Sequence, residues 1–196
     1  MLVLSEVLLG VGFLNIFITG PPGSGKTTVI KRVMEVLEAE GFRAGGIYCP
    51  EVRDGGQRLG FEIVDVLTGA RGILSHILQQ TGPRLGKYRV NLEDLSRIGV
   101  RAIETAVEIA DYVVIDEVGP MELQAQSFQL AVLRALESSK PVIGILHWKL
   151  RHPIKNRIEA RKDVKIYPLT RENRTTLPSV LLNDVHEILT PKDGSS

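Results

Sequence analysis

The eight residues Gly20-Pro21-Pro22-Gly23-Ser24-Gly25-Lys26-Thr27 constrain this chain more than any other stretch. They fit G-x-x-x-x-G-K-[ST] at every fixed position, the pattern of a loop whose backbone N–H groups close around a polyphosphate. The apolar run Leu14, Ile16, Phe17 and Ile18 leads into the loop, and Val29, Ile30, Val33, Met34 and Leu37 follow at helical spacing. Strand, loop and helix therefore come in the required order. Glycines let the backbone curl inward, and the next helix turns its positive end towards an anion. In such a cradle Lys26 is placed to bridge the β- and γ-phosphates, and the Thr27 hydroxyl to ligate Mg²⁺.

Beyond the loop, apolar runs alternate with helical patterns. The first helix is expected to stop near Ala39, before Gly41, and Phe42 to Tyr48 reads as a strand made irregular by Gly45 and Gly46. Asp54-Gly55-Gly56 marks the turn of a hairpin between about Tyr48 and Val66. This hairpin carries Arg53 and Arg58, and a polar passage from Gly82 to Asn91 carries Arg84, Lys87 and Arg89. Such basic stretches are commonly solvated loops; the functional alternative is a lid, or an arginine that senses the γ-phosphate. A helix is expected from Asn91 to Ala110, a buried parallel strand at Tyr112 to Glu117 that is apolar until its C-terminal end, a helix from Met121 to Leu136, strands at Pro141 to Leu146 and Val164 to Tyr167, and a helix from Leu177 to Leu189. The expected fold is α/β, a mostly parallel sheet with helices on both faces and a hairpin insertion.

A phosphate loop needs a carboxylate at the end of a neighbouring strand to help hold Mg²⁺, and Asp116, after Val113-Val114-Ile115, is the candidate. Glu117 next to it is placed to take a proton from a water aligned with the γ-phosphate; its competing role is to cap the helix near Met121. Side chains alternate along a strand, so the two carboxyls face one way only if the strand is already turning, as Gly119-Pro120 suggests. Asp116-Glu117-Val118-Gly119 also fits the D-x-x-G switch pattern, but no N-K-x-D follows and Pro120 stands where a water-orienting Gln is expected. His147, at the tip of the next apolar strand, is either a γ-phosphate sensor or a solvent-exposed bystander.

Composition narrows the partners. With 24 basic and 23 acidic residues the net charge is +1, so no bulk electrostatic attraction to nucleic acid or to a membrane is expected. The single Cys49 excludes an internal disulfide and suits a reducing cytoplasm, and the four histidines show no zinc-like spacing, which leaves Mg²⁺ as the expected metal. The 196 residues suit one domain at 14–190, with an extension at 1–13 and a tail at 191–196, and a monomer is expected. Glu6 and the lack of any Lys or Arg ahead of the apolar run argue against a secretion signal or anchor.

Taken together, Gly20 to Thr28, Gly46-Ile47-Tyr48, Glu51-Val52-Arg53, Gly56 to Phe61, Val90-Asn91-Leu92 and Ile115-Asp116-Glu117-Val118-Gly119-Pro120-Met121-Glu122-Leu123 resemble one family closely. It is the small thermophile-type nucleoside-triphosphatase family, which includes the vertebrate cancer-related nucleoside-triphosphatase. Arg161 to Lys165 and Thr170 to Arg174 match it as well. The resemblance implies a P-loop domain of the RecA-like, additional-strand kind and slow, Mg²⁺-dependent hydrolysis of ATP, GTP, CTP and UTP with little base preference. It implies nucleotide contacts along Gly20 to Thr27 and Val113 to Pro120. A small-molecule kinase and a nucleotide-gated switch are the competing readings; a kinase should show an acceptor pocket, and a switch should lack the base.

Overall fold

The computed structural model describes residues 15–190. The extension expected at 1–13 and the tail at 191–196 lie outside the described residues. In chain order the elements are β1 (Asn15–Thr19), α1 (Lys26–Ala39), β2 (Ala44–Tyr48), β3 (Glu51–Asp54), β4 (Gln57–Asp65), β5 (Arg71–His76), β6 (Arg84–Leu85), β7 (Tyr88–Val90), α2 (Leu92–Asp94), α3 (Arg101–Ile109), β8 (Tyr112–Val118), α4 (Gln126–Glu137), β9 (Val142–Leu146), α5 (Pro153–Glu159), β10 (Val164–Pro168) and α6 (Leu177–Leu189).

Strands β10, β1, β9, β8 and β2 lie side by side in that order and are all parallel. Their sequences are apolar almost throughout because both faces are covered. Alternation assigns the faces: Ile16, Ile18, Tyr112, Val114, Ile143 and Ile145 pack against α1 and α6, while Phe17, Val113, Ile115, Val142 and Leu146 pack against α3, α4 and α5. β9 stands between β1, which leads to the phosphate loop, and β8, which ends in the carboxylates. That is the additional-strand order, and it sets the loop and the carboxylates two strands apart at one edge of the sheet. No helix among the described residues is long and apolar enough to cross a membrane.

Several elements differ from the sequence expectation. The hairpin is present as β3–β4, but it continues the main sheet: Ile47 and Tyr48 of β2 pair antiparallel with Asp65 and Val64 of β4, and β5, β7 and β6 extend the same sheet. The Gly82 to Asn91 passage is therefore no solvated loop, since Tyr88 and Val90 are buried strand residues. β2 keeps a continuous register with β8 through both of its glycines, while Gly46, at φ 102°, supplies the backbone irregularity expected there. The helix expected from Asn91 is interrupted by a π-helical stretch at Leu95–Val100. The helix expected at Met121 begins as a single 3₁₀ turn, Glu122–Gln124, and restarts at Gln126 because Ala125 is extended. Helix α5 was not expected; His152 caps it by accepting the Ile154 N–H at 3.2 Å, with Pro153 at its first turn.

Candidate active site

The phosphate loop is built as its residue types require. Gly23 and Gly25 take positive φ, 73° and 97°, which side chains with a Cβ rarely adopt. Helix α1 starts directly from Gly25 with no side-chain cap and no acid in its first turn. Its free N–H groups and positive end are therefore left for an anion. Ser24 Oγ is buried inside the loop without a hydrogen-bond partner. Lys26 Nζ donates to the carbonyls of Gly20 and Pro21 at 2.9 and 3.0 Å, which folds the ammonium over the cradle.

At the end of β8 the pairing with β9 slips between Ile115 and Val118, and the intervening Asp116–Glu117 peptide is cis. The strand is not yet turning at Asp116-Glu117, as the sequence suggested; it continues to Val118, which pairs with Leu146, and the chain bends only at Gly119-Pro120. The irregularity brings both carboxyls under the influence of Lys26. Burial pushes the Asp116 carboxyl up to about 6, against the opposing pull of a hydrogen bond from Thr27 and the charge of Lys26. Burial and then the Asp116 charge push Glu117 up to about 7, again opposed by Lys26. The Glu117 proton is thus exchangeable near neutrality, as a general base requires.

His147 is not a solvent-exposed bystander. Its backbone N–H donates to Val118 O at 3.1 Å, its ring Nδ1 is buried without a partner, and burial with the charges of Lys26 and Lys155 pushes its pKa down. A neutral imidazole therefore stands beside the phosphate loop. The three arginines are held elsewhere. Arg53 and Arg58 face each other across β3 and β4, and Glu51 separates the like charges by bonding Arg53 Nε with one oxygen at 2.7 Å and Arg58 with the other at 2.6 Å. Arg58 also donates to the Tyr88 hydroxyl at 3.0 Å, and Arg84 donates to Gly86 O at 3.1 Å. All three side chains brace the antiparallel half of the sheet.

Pattern reading singled out no role for Glu122 or Cys49. Cys49 follows β2, and burial together with the charges of Glu122, Asp116 and Glu117 pushes its thiol up, which makes it a poor nucleophile. Glu122 is a fully buried acid beside Glu117. Glu122 stands inside the family-matching string Ile115 to Leu123, but nothing in that string shows that it is buried; Cys49 lies outside any chemical motif and meets these acids through the β2–β8 pairing.

The residues present fit Mg²⁺. Asp116 Oδ2 is buried without a hydrogen-bond partner, the Thr27 hydroxyl bonds the same carboxyl, and both residues line a cavity of about 190 Å³ between α1 and the end of β2. A hard cation with oxygen ligands matches that donor set.

A phosphate loop between β1 and α1, two acidic residues at the end of β8 and an added strand between them define a P-loop NTPase. Comparison with known proteins narrows the class. A family model described as NTPase matches residues 15–182. The chain is 50% identical to nucleoside-triphosphatase THEP1 of Methanosarcina acetivorans, over 87% of this chain and 95% of the relative. It is 45% identical to the protein of the same name from Thermofilum pendens, over 89% and 97%. Its fold is similar to the crystal structure of THEP1 from Aquifex aeolicus (TM-score 0.76, 30% identity, 86% of this chain and 97% of that one). It is equally similar to the solution structure of a human cancer-related nucleoside triphosphatase (TM-score 0.76, 35% identity, 88% and 97%). The chain belongs to the THEP1 nucleoside-triphosphatase family.

Proposed function

We propose that this protein hydrolyses nucleoside 5′-triphosphates to the diphosphate and phosphate, slowly, with Mg²⁺ and with broad base specificity. The observation that carries the reading is the placement of Glu117: a carboxyl with its pKa near 7, next to Asp116 and in the field of Lys26. The α1 N–H groups and Lys26 bind the triphosphate, and His147 offers a neutral donor to its γ end. Glu117 accepts a proton from water while the water oxygen bonds to the γ-phosphorus and the bond from that phosphorus to the β-bridging oxygen breaks. Thr27 and Asp116 would hold Mg²⁺, which when bound would supply Lewis-acid stabilisation of the charge that develops on the phosphates. Phosphate release from the purified chain with Mg²⁺ and each triphosphate, without acceptor, nucleic acid or lipid, tests the reading. Diphosphate formed without phosphate release, and only when a hydroxylated acceptor is added, would make the protein a kinase instead.

Base specificity should be shallow. The cradle's backbone donors and Lys26 do not touch a base, and Trp148, whose indole carries Lys149 Nζ 4.3 Å above its centre, offers stacking that any base accepts. Values of kcat/KM for ATP, GTP, CTP and UTP are expected within about tenfold, or ~1.4 kcal/mol in transition-state binding. A thousandfold preference in side-by-side assays would reveal a dedicated base pocket.

The pH profile has a defined sign. Glu117 must be deprotonated to act as a base, and its value in the free protein is raised to about 7. The kcat/KM profile should therefore rise through about pH 7 and fall by up to about tenfold per unit on the acid side. Because Asp116 is raised to about 6, the acid limb belongs to the pair. A flat profile from pH 5 to 8 would contradict the assignment.

A further inference from the structure

A second carboxyl stands behind Glu117. Glu122 is 4% exposed and opens the 3₁₀ turn that follows β8, where its carboxyl faces the backbone N–H groups of Gly119 and of Glu122 itself. Gly119 is the floor on which both acids rest. A Cβ at that position would lie 2.7 Å from Glu117 Oε1, 3.0 Å from Glu117 Cγ and 2.9 Å from Glu122 Oε2. Among the described residues no Lys, Arg or His forms an ion pair with Glu122. Burial and then the charge of Glu117 push its carboxyl well above the usual range. Burying an acid with no cation is unfavourable, and capping two backbone N–H groups needs only a neutral acceptor. An acid kept there at that disadvantage, against the same glycine as Glu117, points to a task at the site.

We propose that Glu122 is a positioning residue for hydrolysis: through Gly119 it holds the Glu117 carboxyl in the orientation that faces Lys26 and the phosphate loop. The inference rests on the assignment of Glu117 as the base. Glu117 ends in a carboxyl on three rotatable bonds, so the base is only as well aimed as the surface behind it. Glu122 shapes that surface twice, by fixing the Gly119 N–H and by filling the space beside Glu117 Oε1. Nucleotide binding depends on the cradle instead, on the far side of β9. Losing the backstop should therefore slow turnover and leave affinity alone, because misplacing a catalytic group by about 1 Å already costs on the order of 10² in rate.

Four proteins test this beside the parent: Glu122→Ala, Glu122→Gln, Gly119→Ala and the double variant Glu117→Gln/Glu122→Ala. In Glu122→Ala, kcat for ATP should fall about 10- to 100-fold with KM changed by less than about threefold. Glu122→Gln keeps the acceptor oxygen and the length of the side chain, and should recover most of the rate. Gly119→Ala leaves Glu122 in place but puts a methyl group between the two carboxyls, and should reproduce the kcat loss. Added to Glu117→Gln, Glu122→Ala should cause little further loss, since it acts through the group already removed. A residue that only holds the turn together would instead lower kcat additively in that background. Additivity, or a parental kcat in folded Glu122→Ala, overturns the proposal while leaving Glu117 as the base. Should Glu122→Ala fail to fold, a parental kcat in Gly119→Ala overturns it equally. A parental rate in Glu117→Gln alone would remove the base assignment itself, and this inference with it.

Discussion

Glu117→Gln is expected to bind Mg²⁺-nucleotide as the parent does and to hydrolyse it about 10²- to 10⁴-fold more slowly, the range for losing a general base. The substitution keeps the size and polarity of the side chain but takes away the site that accepts the proton. Affinity should persist because the phosphate-binding groups, Lys26 and the first turn of α1, belong to other elements. Nucleotide titration alongside single-turnover phosphate release separates the two effects, and an unchanged rate would return Glu117 to the helix-capping role. The same variant carries a stability signature. Burial raises the Glu117 carboxyl to about 7 from an ordinary value near 4.5, so the folded chain holds that proton more tightly than the unfolded chain. The stability linked to it is present below about pH 4 and is lost as pH rises through about 7. At pH 8 the nucleotide-free Glu117→Gln protein should be more stable than the parent, by an amount on the order of 2 kcal/mol, and at pH 4 the difference should vanish. Thermal unfolding at both pH values checks the sign.

Lys26→Ala is expected to abolish nucleotide binding, turnover or both while leaving the fold intact. In the structure the ammonium bonds two loop carbonyls, Gly20 O and Pro21 O, rather than filling core, and losing it leaves both carbonyls free to be hydrated. The triphosphate, by contrast, loses the side-chain cation bonded to the loop carbonyls of its own cradle. Circular dichroism and thermal unfolding should match the parent, and phosphate release should fall to background. A well-folded Lys26→Ala protein that releases phosphate at the parental rate would falsify the cradle assignment.

How far each part of this site was legible depends on the range of the interactions that build it. The phosphate loop was readable in full, because Gly23, Gly25, Lys26 and Thr27 act through local backbone conformation and through the helix they begin. The strands β1, β8 and β9 were readable because burial on both faces demands continuous apolar runs, and the Lys26–Ala39 helix because its buried positions recur at helical spacing. Asp116 and Glu117 were legible as residues at a strand end. That both come under the influence of Lys26 was not: the β8–β9 pairing slips between Ile115 and Val118, and a slip depends on two strands at once.

The sequence by itself determined that this chain has a phosphate-binding loop, a carboxylate-tipped strand and an α/β alternation, since each is a pattern within about ten neighbouring residues. Tertiary structure alone decided the strand order, which inserts β9 between loop and carboxylates, and the fate of the arginines, which Glu51, Tyr88 and Gly86 hold on the antiparallel half of the sheet. It also decided the burial of Glu122 at 4% exposure, which the neighbouring residues alone do not announce. Pairing partners and buried charges are set by packing between segments far apart in the chain, and no local spacing records which distant segment will arrive.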